Sequence, residues 1–74
     1  MTDKDLEYLD RAFTYHAPKG NQAARYKELR SMGSSLAEMI LHYCPESRER
    51  SLALTKLEES IMWANASIAR NEGE

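Results

Sequence analysis

Apolar residues recur at three- and four-residue intervals along nearly the whole chain, and a period near 3.6 means helices. Leu6, Leu9 and Phe13 mark the first, predicted over 1–12, with Thr2 as candidate cap and Asp3 and Asp5 where the helix dipole favours negative charge. A helix this short does not persist alone and must pack on something. Ala17-Pro18-Lys19-Gly20 ends it. His16 and Ala17 should be extended, because proline disfavours the α conformation before it. Asn21 is placed to cap a second helix over 21–43, in which Leu29, Gly33, Leu36, Ile40 and Tyr43 alternate by four and three, the mark of one buried seam. Glycine costs about 1 kcal/mol against alanine in a helix interior, so Gly33 points to close backbone approach. Cys44-Pro45-Glu46-Ser47 makes a turn, and a third helix over 47–71 carries the matching seam Leu54, Leu57, Ile61, Ala64 and Ile68. So short a turn makes these two helices antiparallel neighbours. Arg25 with Glu28 or Leu29, and Lys56 with Glu59 or Ser60, read as solvated surface.

The pattern predicts an all-α fold, a short N-terminal helix plus an antiparallel two-helix hairpin, forming a single domain over 1–74. Its apolar surface is not used up. Met62, Ala66 and Ala69 form a second stripe on the third helix, broadened by Trp63 and Ser67. A helix apolar on more than one side is generally covered on more than one side. A second copy is the economical cover, so a homo-oligomer is expected; the alternative is that the first helix covers the stripe and the protein stays monomeric. Asn65, beside that stripe, is expected to bond across helices and fix their register.

Seventy-four residues with a formal net charge of −2 bound the function. A grip on polymeric nucleic acid usually takes a basic surplus, which this chain lacks; a ligand with two or three phosphates needs only a few local cations. Cys44 is the sole cysteine, so no internal disulfide forms, as fits a reducing cytoplasm. No apolar run reaches the roughly 20 residues of a membrane span, and Met1-Thr2-Asp3-Lys4-Asp5 is not signal-like. A soluble, intracellular protein is expected.

The chemistry concentrates in Phe13-Thr14-Tyr15-His16-Ala17-Pro18-Lys19-Gly20-Asn21-Gln22, which makes 13–20 a candidate ligand-binding turn. Aromatic faces stack on planar bases, typically for about 1–3 kcal/mol each. Lysine supplies a mobile charge for phosphate, and the following helix start favours anions. The bland alternative is a structured turn whose aromatics plug a small core. Other chemistries fit less well. His42, Cys44 and the distant His16 fall short of the four spaced ligands of structural zinc. Cys44 and His42 lack an orienting third group for nucleophilic catalysis, and adjacent Glu58 and Glu59 point apart on a helix. One glycine makes no phosphate loop, and the helix after Ser47 is too acidic for a DNA reader.

The segment Phe13–Gln22 followed by Arg25-Tyr26 resembles small bacteriophage proteins of the anti-CBASS cyclic-oligonucleotide sponge family. Residues 47–59 and 62–70 look like the same family's hairpin, which Thoeris anti-defence sponges share. The resemblance covers roughly residues 13–71. It implies a compact helical homo-oligomer, a hexamer in family members, that captures cyclic dinucleotides between protomers and, in some members, cyclic trinucleotides near threefold axes. No cofactor, metal or cleavage is implied. Trapping the signal in the infected host's cytoplasm keeps the CBASS effector from being activated. Carried onto this chain, the resemblance makes Tyr15 the base-stacking residue and Lys19 and Arg30 the leading phosphate partners. His16, Pro18, Gln22, Arg25 and Tyr26 would shape the pocket, and Arg70 would serve a trinucleotide site. Relatives often have aspartate where this chain has Asn21. Each residue has a plainer role open to it: His16 bonding the turn backbone, Tyr26 packing at a protomer boundary, Arg30 in a surface ion pair, Trp63 as an interface anchor. Two other functions stay open: an oligomeric helical adaptor or antitoxin-like interaction module, and a nucleic-acid regulator. An enzyme hydrolysing cyclic nucleotides is more remote.

Overall fold

Thr2 opens the first helix, α1 (Asp3–Phe13), through a reciprocal pair of bonds. Its Oγ1 accepts from the Asp5 N–H at 3.1 Å, and the Asp5 carboxylate accepts from the Thr2 N–H at 3.0 Å. Two donors with no partner inside the helix are thereby satisfied, and an acidic first turn complements the dipole. At the other end the Thr14 N–H reaches the Asp10 carbonyl at 3.2 Å, and His16 Nε2 donates to the Arg11 carbonyl at 2.9 Å.

The computed structural model describes residues 1–72. After α1 come α2 (Gln22–Tyr43) and α3 (Arg48–Asn71), and among the described residues there is no strand. Asn21 stands at the start of α2, but its side chain makes no capping bond. Its backbone, at φ −92° and ψ 14°, is not the extended one that aims a cap at the first helical N–H groups. Gln22 ties the turn instead. Its Oε1 accepts from the Lys19 N–H at 2.9 Å, and its own N–H donates to the Lys19 carbonyl at 2.9 Å. Gly20 closes the loop between them at φ +53°, a conformation that L side chains rarely adopt. Between α2 and α3, Ser47 Oγ accepts from the Arg50 N–H at 3.0 Å and caps α3. The Arg50 guanidinium turns back to the Cys44 carbonyl at 3.2 Å, serving the exposed end of α2.

Contacts pairing Arg50 with Cys44, Ile61 with Gly33, and Glu72 with Gln22 run in opposite senses along the two long helices, so α2 and α3 are antiparallel. All five expected α3 seam residues, Leu54, Leu57, Ile61, Ala64 and Ile68, are half-buried. On α2 the seam is Leu29, Gly33, Ala37 and Ile40; Leu36 and Tyr43 are exposed, contrary to the four–three spacing. A Cβ at Gly33 would lie 2.8 Å from Ile61 Cγ1. Ile61 thus sits against α2 backbone, and the contact face follows the four-residue ridge from 33 to 37. Asn65 does not bridge the helices, since its Oδ1 is buried and makes no hydrogen bond. Backbone approach at Gly33 therefore sets the register.

α1 contacts α3 but leaves much of the second stripe open, with Met62 57% and Trp63 54% exposed. Among the described residues only Gln22 and Gly33 are buried, and no apolar side chain is. The radius of gyration is 16.0 Å, where a compact domain of this length has about 11 Å. The accessible surface is 6106 Å², against about 4,700 Å² for a globular monomer of this mass. The folded chain is a slab, 13 Å deep across its backbone. Among the described residues no helix is long and apolar enough to cross a membrane.

Candidate functional site

The segment between α1 and α2 passes over the end of α3 and encloses a concavity of about 430 Å³. Helix ends and turn build it together. α1 ends beside it with Asp10 and Arg11; the extended stretch contributes Tyr15, His16 and Lys19; α3 supplies Ala69 and Arg70. Tyr15 is 83% exposed, a flat aromatic face standing at the rim rather than plugging a core. His16 reaches the concavity while its Nε2 is committed to the Arg11 carbonyl, so its ring is oriented by the last turn of α1. Arg70 borders it too, with its guanidinium carbon 5.8 Å from the centre of the Trp63 ring, a cation–π arrangement one face further along α3.

Glu72, just past α3, completes the wall. Its two carboxylate oxygens accept from the terminal nitrogens of Arg25 at 2.6 and 2.5 Å. Gln22 Nε2 donates to the same carboxylate at 3.0 Å. Those bonds, Arg25's first and then Gln22's, hold the Glu72 carboxyl down at about 2. Asn21 Oδ1 accepts from Arg25 Nε at 3.1 Å, which engages the remaining edge of the guanidinium. Arg25 is therefore not the solvated partner of Glu28 or Leu29 that its spacing implies. Its mate lies 47 residues away.

The expected site residues divide. Tyr15, His16, Lys19, Gln22 and Arg70 line the same concavity within one chain. Arg25 touches the site through Glu72 and faces a smaller hollow with Leu29 and Ile68. Arg30 opens onto a separate groove of about 630 Å³ on the α2–α3 face, beside Gly33 and Asn65. Pro18 is exposed in the turn and Tyr26 is half-buried on α2; neither lines these hollows. Sequence reasoning missed Arg11 and Glu72. Arg11 was findable as the cation four residues before Tyr15. Glu72 gives no local signal, because its partners are a whole hairpin away. Among the described residues no cluster of three His, Cys, Asp or Glu could hold a metal.

A flat aromatic rim at Tyr15 with Arg11, Lys19 and Arg70 around the same hollow suits a small ligand that is both planar and anionic. Residues 5–69 match the family described as "Acb2/Tad1, hairpin domain". The chain belongs to the Acb2/Tad1 hairpin family. This is the anti-CBASS and anti-Thoeris sponge family, whose members bind cyclic oligonucleotide signals and are not enzymes. The match takes in all of the α2–α3 hairpin seam and all of the turn that carries Tyr15 and Lys19. No curated protein and no solved structure matches the chain.

Proposed function

We propose that this protein is a phage anti-defence sponge that captures cyclic di- and trinucleotide immune signals without cleaving them, in the cytoplasm of the infected host, and so blocks CBASS effector activation. The observation that carries the reading is the family turn folded as a concavity, with Tyr15 at its rim and Lys19 beside it. Tyr15 stacks a base, Lys19 meets phosphate, and His16, Pro18, Gln22, Arg25 and Tyr26 shape the surroundings. Arg30 lines a different groove of the same protomer. A ligand touching both Tyr15 and Arg30 is therefore shared between copies, with Arg30 supplied by a neighbour. Arg70 serves the trinucleotide.

The open apolar surface supports self-association as part of this reading. The protomer buries no apolar side chain among its described residues. Met32, Leu36, Met39 and Tyr43 leave a second, solvent-facing seam on α2 at spacings of four, three and four. Copies packed on this seam and on the Met62–Trp63 stripe build the homo-oligomer, a hexamer as in the family, and enclose the ligand.

The test is calorimetric titration of the purified protein with a panel of cyclic di- and trinucleotides, followed by heat denaturation and recovery of the ligand. Tight binding with the ring returned intact is expected. No heat with any ring would make the chain an oligomeric helical adaptor instead. Tyr15→Ala should abolish dinucleotide capture with the assembly mass unchanged, and Arg70→Ala should spare it. Equal loss of both ligands in Arg70→Ala would sink the two-site picture.

A further inference from the structure

The contact between the end of α3 and the start of α2 has the chemistry of an anion site that is already filled. Three N–H donors, two from Arg25 and one from Gln22, converge on the two oxygens of Glu72. A guanidinium fork plus an amide suits a carboxylate, and it equally suits the two non-bridging oxygens of a phosphodiester. The donors are held in place without help from the anion. Asn21 Oδ1 grips the Nε edge of Arg25, and Gln22 is 7% exposed with its carbonyl oxygen fixed by the Lys19 N–H. Glu72 is the loosely founded member. Its N–H caps α3 on the Ile68 carbonyl at 3.3 Å, but its side chain, 42% exposed, has no partner besides these donors among the described residues and faces the concavity that also holds Tyr15, Lys19 and Arg70.

We infer that Arg25 and Gln22 form a phosphate seat and that Glu72 is its resident anion, displaced when a ligand phosphate enters. The exchange is balanced in charge: one singly negative carboxylate leaves and one singly negative phosphodiester takes its three donors. Glu72 stays ionised far below neutral pH, so it competes as a full charge under all physiological conditions. Its effect is to raise the threshold for capture, because every entering phosphate competes with a tethered anion at high effective concentration. Weakly bound anions are turned away, while a ring that also stacks on Tyr15 prevails. The inference rests on the sponge reading only for the ligand that brings the phosphate.

The test uses the full chain, Glu72→Gln and Glu72→Ala, each titrated with inorganic phosphate and with a 3′,3′-linked cyclic dinucleotide. The readout is the nitrogen and proton resonances of the Arg25 Nε–H and the Gln22 side-chain amide. Exposed ion pairs are weak and a bidentate one only somewhat stronger, so removing Glu72's charge should tighten phosphate binding by about three- to tenfold. Arg25→Ala should abolish the gain when combined with Glu72→Gln. Tighter phosphate in both Glu72 variants, with no dinucleotide bound by any protein, would keep the seat and overturn the sponge reading. Dinucleotide bound by the wild type, with neither anion tighter in the variants, would keep the sponge and overturn the seat. Absence of any phosphate response at Arg25 and Gln22 in all three proteins would also overturn it.

Discussion

Gly33 shows how one residue sets the spacing of two helices. Alanine there would gain about 1 kcal/mol of helix propensity, but its Cβ would lie 2.8 Å from Ile61 Cγ1 and 3.1 Å from Cδ1. Overpacking of that kind costs about 1–3 kcal/mol, so Gly33→Ala should lower the melting temperature. The sign should reverse in an Ile61→Ala background, where both crowding atoms are gone and propensity alone remains; a thermal-melt double-mutant cycle reads this directly. Glu72 gives the second residue-scale prediction. Its carboxyl lies at about 2 in the folded chain against an ordinary 4.5. The unfolded chain therefore binds the proton more readily, and the contribution to stability is complete above about 4.5 and lost as pH falls toward 2. Glu72→Gln should flatten the melting profile across that window, and added salt should shrink the wild-type slope because the pair is exposed. Gly33 was legible in the sequence because a glycine inside a helical pattern demands a reason. The Arg25–Glu72 pair was not, since nothing within one helical turn of either residue announces it.

Among the elements, α1 is the one held most lightly. It is 11 residues long, has no buried residue and, of the helices, packs against α3 alone. Its Thr2–Asp5 capping box is therefore a large share of what keeps it formed. Thr2→Ala should cost about 1 kcal/mol, and hydrogen exchange should show α1 opening while α2 and α3 stay protected. Equal loss of protection across all three helices would mean that α1 belongs to the cooperative unit. Periodicity revealed the helices because each carries an apolar face, and Thr2 was readable as a cap from its acidic followers. The α2 seam was misread at Leu36 and Tyr43, whose apolar character fits either face of the helix. Only the position of Ile61 against Gly33 decides which face meets α3. Asn21 misled for a related reason: the residue type is right for a cap, but the turn through Gly20 gives it the wrong backbone angles.

The whole molecule has more surface than a globular monomer of its mass and no buried apolar side chain among its described residues. That surplus, roughly 1,400 Å² beyond the expected area, is of the order a protomer loses in a permanent assembly. Sedimentation should give a mass several times that of one chain. Met39→Glu, on the open α2 seam, should lower that mass and weaken dinucleotide capture together while helicity persists. Retained capture by a monomer would place the whole ligand site in one protomer. Composition hinted at this scale through an apolar stripe too many, but only the folded slab shows how little one chain covers itself.

The hydrogen bonds of Glu72 span 47 and 50 residues, yet they lie at the end of the hairpin farthest from the Cys44–Ser47 turn. Closing the turn end costs the least chain entropy, because it joins near neighbours, and each rung formed shortens the gap for the next. The last rung formed is the first to fray. Exchange of the anion at Arg25 and Gln22 therefore asks for motion of the helix tips alone, of the kind that termini make in nanoseconds to microseconds, and leaves the seam at Gly33 undisturbed. A hairpin of this kind works as tongs: rigid at the hinge, and ready at the tips to let go of its own carboxylate.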